Sequence, residues 1–199
     1  MIDSHCHIAG PEFAKDLDDV VARARDAGLS GALVVLAADD EQELRQAPEV
    51  AARWPQVRFT IGVHPHAAGK FTANPEAATA LVKDAIASQP LARGVGEIGL
   101  DYHYDFAPRE AQQEVFRHQI RLARQLSRPL VIHTREADED TLRILTEEGA
   151  SEIGGVFHCF TGDRHMARLG LDLGFHLSLA RIVPFPRATD LQPSDVFRL

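Results

Sequence analysis

Short apolar runs alternate with longer amphipathic ones along most of the chain. Ile2 to Ile8 reads as a first strand. From Phe13 to Ala27 the apolar positions Phe13, Leu17, Val20, Val21 and Ala24 share one helical face, and Gly28 follows as a natural stop. The run GALVVLA, Gly31 to Ala37, suits a strand buried on both faces. Helical spacing over Glu41 to Trp54 gives way to a strand at Val57 to Val63. Pro75 to Gln89 predicts a helix with Asn74 as its cap and proline at its first position. A strand at Ala92 to Ile98 precedes a long helix, Pro108 to Leu126, which buries Val115, Phe116, Ile120, Ala123 and Leu126. The strand Leu130 to His133, the helix Asp138 to Glu148, the strand Gly155 to His158 and the helix Asp163 to Leu173 continue the alternation, and Phe175 to Arg181 reads as a seventh strand.

Strict alternation of strand and helix implies a parallel sheet with helical crossovers. An open doubly wound sheet and a closed barrel both satisfy it. The chain has no glycine-rich dinucleotide fingerprint, which favours the barrel. Polar placement favours it further: His5 and His7, Glu97, His133 and His158 all fall at the C-terminal ends of predicted strands. In a barrel those ends converge on one rim, whereas an open sheet strings them along a line. The expected fold is therefore a barrel of alternating strands and helices, seven strands being legible, with residues 1–199 as one domain.

Composition narrows the picture modestly. The chain is 45% hydrophobic and 25% charged, ordinary for a globular domain. No run approaches the roughly 18 apolar residues of a membrane helix, and the N-terminus lacks a secretory pattern, so a cytoplasmic protein without a membrane partner is expected. A formal net charge of −8 gives little general grip on nucleic acid. The two cysteines, Cys6 and Cys159, make no disulfide framework. Each is out of phase with its neighbouring histidine on a strand, which suits small apolar packing.

The chemistry lies at the strand ends. His5 and His7 are two apart on a strand, so both rings can reach one metal ion. Taken alone, the pair suits two hydrogen-bonded histidines equally well. Glu97 closes an apolar strand, where a carboxylate needs a cation; its two oxygens can bridge a pair of ions about 4 Å apart. His133 and His158 each close an apolar strand as well. His64 and His66 flank Pro65 in a turn, and His64 suits an orienting or substrate-facing role. Arg135 is equally placed to hold a phosphate bidentately or to stand solvated at a helix start. Asp101 suits a loop cap, with the orienting of a histidine as the other option.

Together MIDSHCHI, GVHPH, GVGEIGLDYH, PLVIHTRE and VFHCFTG resemble the TatD family of metal-dependent hydrolases, in that family's order. The resemblance implies a TIM-type (β/α)8 barrel, a two-metal site (magnesium, manganese or zinc) and cleavage of DNA, single-stranded or at its ends. It implies that His5 and His7 hold one cation, Glu97 bridges, and His133 and His158 hold the other. FHLSLARIVPFPRATDL is similar to the family's next block, with Arg181 where a glycine is usual. The family's aspartate, at the end of its eighth strand, has no counterpart: neither Asp190 nor Asp195 follows an apolar strand. The expectation is a barrel lacking its eighth strand, C-terminally truncated, with impaired metal affinity and activity. Two other readings stay open, a small-molecule amide or ester hydrolase of the same metal-barrel type and an inactive truncated product.

Overall fold

The computed structural model describes residues 1–179. Seven strands, β1 (Ile2–Cys6), β2 (Gly31–Ala37), β3 (Arg58–Gly62), β4 (Ala92–Asp101), β5 (Leu130–Arg135), β6 (Gly155–Phe157) and β7 (Phe175–Leu177), form one sheet in sequential order. Every neighbouring pair is parallel. The connections hold helices α1 (Leu17–Asp26), α2 (Glu41–Arg53), α3 (Pro75–Ser88), α4 (Arg109–Gln125), α5 (Asp138–Glu147) and α6 (Arg164–Asp172).

Sequential order is what separates a barrel wall from a doubly wound sheet, whose strand order reverses at a switch point. Crossovers between parallel neighbours are right-handed almost without exception, so sequential order places the helices on one side and curls the sheet away from them. The curl goes far: the hydroxyls of Ser4 in β1 and Ser178 just past β7 meet at 3.1 Å. The fold is thus a seven-stranded, TIM-type barrel wall. The predicted end of the seventh strand at Arg181, Asp190, Asp195 and the region that bears on an eighth strand all lie outside the described residues.

Local rules account for most element ends. Gly28 takes φ +85° after α1, and the Leu29 N–H bonds back to the Ala24 carbonyl, closing the helix. The first helix is shorter than its apolar pattern, because Pro11–Phe13 forms a separate 3-10 turn. Asn74 precedes α3 as expected, but its side chain makes no capping bond. Pro48 sits inside α2 and supplies no N–H to the Leu44 carbonyl four residues back. The side-chain amide of Gln89 donates to that carbonyl instead, at 3.0 Å.

The core fills the space between sheet and helices. Val34, Leu36, Phe59 and Ile61 from the strands join Val50, Val82, Phe116 and Ile120 from the helices and Trp54 just past α2, all essentially without exposure. Burial of each such side chain contributes about 1.5–3 kcal/mol, which fixes the strand ends where the polar residues stand. Among the described residues no helix is long and apolar enough to cross a membrane.

Candidate metal centre

Glu97 is the hub. It sits in the buried strand β4 and is only 6% exposed. Its Oε2 faces β1, 3.3 Å from His5 Nε2 and 3.8 Å from His7 Nε2. Its Oε1 faces β3, β5 and β6: His158 Nε2 lies at 2.6 Å, His133 Nδ1 at 2.8 Å and His64 Nε2 at 3.4 Å. The structure therefore gathers His5, His7, Glu97, His133 and His158 at one rim, with His64 beside them. The rings of His5 and His158, from nearly opposite ends of the strand order, stack with centroids 3.9 Å apart and planes 4° apart.

The donors fit cations on physical grounds. His5 Nε2 and His7 Nε2 point at each other across 3.1 Å, with Glu97 beside both. Nδ1 of His5 and Nδ1 of His158 are buried without a partner. A neutral imidazole carries one proton. Placed on Nε2 of His158, it leaves a lone pair buried at Nδ1; placed on Nδ1, it leaves two lone pairs facing at Glu97. A positive ion between the rings and the carboxylate relieves the second arrangement. His5, His7 and Glu97 offer three ligand atoms within 4.8 Å of one another, as do His64, Glu97 and His133.

Burial and the neighbouring carboxylates pull the protonation of these groups in opposite directions. Burial lowers the pKa of His7, His64 and His158, outweighing the pull of Glu97, so their rings are held neutral. Burial also resists ionisation of Glu97, but hydrogen bonds from His133, His158, His5 and His64 hold its carboxyl well below the usual range. His133 moves the other way. Burial disfavours its charge, yet Glu97 and Asp101 raise its pKa above the ordinary histidine value.

Hydrogen bonds assign different tasks to His133 and His64. His133 Nε2 lies 3.0 Å from Asp101 Oδ2, so when a cation displaces the proton that Nδ1 shares with Glu97, the proton that remains sits on Nε2 and Nδ1 is the ligand atom. His64 is reversed: its Nδ1 accepts from the His66 N–H at 3.2 Å, so Nε2 carries the proton and donates toward Glu97. His133 is thus set up as a ligand and His64 as a donor, although their distances to the carboxylate are similar.

Asp101 does more than cap a loop. It ends β4 rather than following it and is 1% exposed. Oδ1 accepts the backbone N–H groups of His103 and Tyr104, while Oδ2 bonds both His133 and His66, the latter at 2.9 Å. The signal for it was parity: Glu97, Gly99 and Asp101 alternate onto one face of a strand. Gly99, at φ +140°, lets β4 approach β5 so closely that a Cβ there would lie 1.9 Å from the His133 carbonyl oxygen.

Two buried glutamines of α4, without precedent in the apolar pattern, pin the strand ends. Gln119 bonds both the N–H and the carbonyl of Val63, just before His64. Gln112 bonds the N–H and the carbonyl of Asp101. They are seven residues apart, two helical turns, so one face of α4 sets the height of β3 and β4 together.

Arg135 ends β5 at the rim of a cavity of about 520 Å³ lined also by His133, Asp138, His158, Cys159 and Thr161. Cys159 is only half-buried and faces this cavity, at φ +45°, rather than packing as a core residue. Cys6 does pack against the core, and burial pushes its thiol up to about 12.

The chain matches the family model for TatD related DNase over residues 2–195. It is 36% identical over 198 residues to the metal-dependent hydrolase YabD of Bacillus subtilis, covering 100% of this chain and 74% of that one. It is 36% identical over 179 residues to the 3'-5' ssDNA/RNA exonuclease TatD of Salmonella typhimurium, covering 90% of this chain and 66% of that one. The crystal structure of YJJV, a TatD homologue from Escherichia coli, superposes with a TM-score of 0.81 at 25% identity, over 94% of this chain and 71% of the other. With these matches on top of its strand-end histidines and Glu97, the chain belongs to the TatD-related DNase family.

Proposed function

We propose that this chain is a phosphodiesterase that cleaves DNA, as single strands or at ends, using a pair of divalent cations (magnesium, manganese or zinc). In this reading His5 and His7 hold one cation, His133 and His158 the other, and Glu97 lies between. The observation that carries it is the division of Glu97: one buried carboxylate turns each oxygen to a different set of imidazoles. The exonuclease named among the relatives supports a nucleic-acid substrate.

When bound, such cations polarise a phosphoryl oxygen and lower the pKa of water. The chain's own residues supply the rest. Asp101 keeps the proton of His133 away from the centre. His64 offers an N–H toward Glu97 and, beside it, toward an incoming phosphate. Arg135, at the mouth of the adjoining cavity, takes the phosphate in a bidentate grip.

The test is hydrolysis of single-stranded DNA by the full chain with added magnesium or manganese. Removing an outer partner of a ligand commonly costs 10–100-fold. Replacing both His133 and His158 with alanine should therefore reduce turnover by more than about 100-fold. Undiminished cleavage by that double variant refutes the assignment.

A further inference from the structure

The loop after β4 carries side chains that the metal chemistry leaves unused. Tyr104 and Phe106 are 39% and 64% exposed. Their rings stack, with centroids 5.2 Å apart and 27° between planes. Both also meet His66 edge to face, at 5.5 Å and 4.7 Å. The Arg135 guanidinium lies 4.9 Å from the Tyr104 ring centroid and donates to the Tyr104 hydroxyl at 3.4 Å, and among the described residues no carboxylate pairs with it. His66 shares Asp101 with His133, so this patch abuts the metal centre through a single carboxylate.

We propose that Phe106 and Tyr104 form a stacking platform for an unpaired nucleobase of the substrate strand, beside the phosphate that Arg135 grips. The inference rests on the nucleic-acid reading above and specifies how the strand is held. Three observations converge on it. Neither ring packs into the core, and both stand against His66, whose partner Asp101 also holds His133. The unneutralised guanidinium beside them suits a phosphate. The chain's net charge of −8 denies it the general electrostatic grip on the backbone by which many proteins hold DNA. Stacking works without that charge, because every base has a π-face. It also demands a base already out of a duplex, so the platform selects single strands and frayed ends with little regard to sequence.

The experiment uses the full chain with magnesium and a strand of ten thymidines, together with ten further strands carrying one abasic site at each position in turn. Phe106 is exposed, so Phe106→Ala leaves the fold intact. It should raise KM for the intact strand by about tenfold, within the range measured for base–aromatic stacking, with the effect on KM larger than on kcat. Phe106→Trp should recover most of the loss. One abasic position should weaken the wild-type protein to a similar degree and make Phe106→Ala nearly silent. The proposal falls if Phe106→Ala has the wild-type KM, if its deficit is the same with every abasic strand, or if it changes only the sedimentation of the protein, which would mark the rings as a contact between copies. A wild-type chain that cleaves no strand overturns the phosphodiesterase reading and the platform together; one that cleaves regardless of Phe106 overturns the platform alone.

Discussion

An imidazole that offers a lone pair at one nitrogen needs an acceptor for the proton on the other. For His133 that acceptor is Asp101 Oδ2, 3.0 Å away. Burial works against the Asp101 charge, but bonds from His66, the Tyr104 N–H and His133 hold its carboxyl below the usual range, so it stays an acceptor near neutrality. Asp101→Asn tests this without changing size. Oδ1 must remain an oxygen to accept the His103 and Tyr104 amides, so the new NH2 falls at the Oδ2 position. It would donate to His133 Nε2 and force the ring proton onto Nδ1, facing Glu97. Divalent-metal affinity should drop by about 10–100-fold, read by titration calorimetry, and the ring-nitrogen chemical shifts of His133 should exchange roles. Unchanged affinity would show that the tautomer is set elsewhere.

At the scale of elements, α4 and α5 are tied by a buried carboxylate. Glu148, just past α5, takes a two-pronged bond from Arg121 (2.7 and 2.6 Å) and one from Arg117 at 3.0 Å. The Arg121 bonds, helped by Arg117 and opposed by burial, hold its carboxyl below the ordinary value. A depressed carboxylate stabilises the fold above its unfolded pKa, and that contribution fades as pH falls through the lowered value. Glu148→Gln should therefore cost about 1–2 kcal/mol at pH 7, discounted for the half-exposed Arg121, and the gap from wild type in urea melts should close below about pH 4. A gap that persists in acid would assign the loss to packing. The same elements show what the chain reveals before folding. Most strands and helices show as an apolar run or a periodic apolar face, and the strand-end residues stand out because each closes such a run. Asp101 was harder to read, since Gly99 and a polar ending look like a loop until β5 is laid beside them. Gln112 and Gln119 were invisible, because a buried glutamine is recognisable only by the strand backbone it meets.

Across the whole molecule, the cluster draws on β1, β3, β4, β5 and β6, so its contents bear on stability as well as chemistry. The stacked rings of His5 and His158 span the sheet from β1 to β6, close to where Ser4 meets Ser178. A cation held by these residues would tie the curled rim together, whereas without one Nδ1 of His5 and Nδ1 of His158 stay buried with no partner. Anything that binds the folded chain and not the unfolded one stabilises it, by about 2.7 kcal/mol at a hundredfold excess over Kd. For a chain of this length that is roughly 5–10 °C in Tm. Manganese added to chelator-treated protein should raise Tm by this amount at pH 8. The rise should be smaller at pH 5.5, because protons compete for the same imidazoles, His133 above all, whose pKa is raised. Scanning calorimetry with and without manganese at both pH values measures it. Identical melting in all four conditions would mean that the histidines gathered around Glu97 hold no cation tightly enough to matter to the fold.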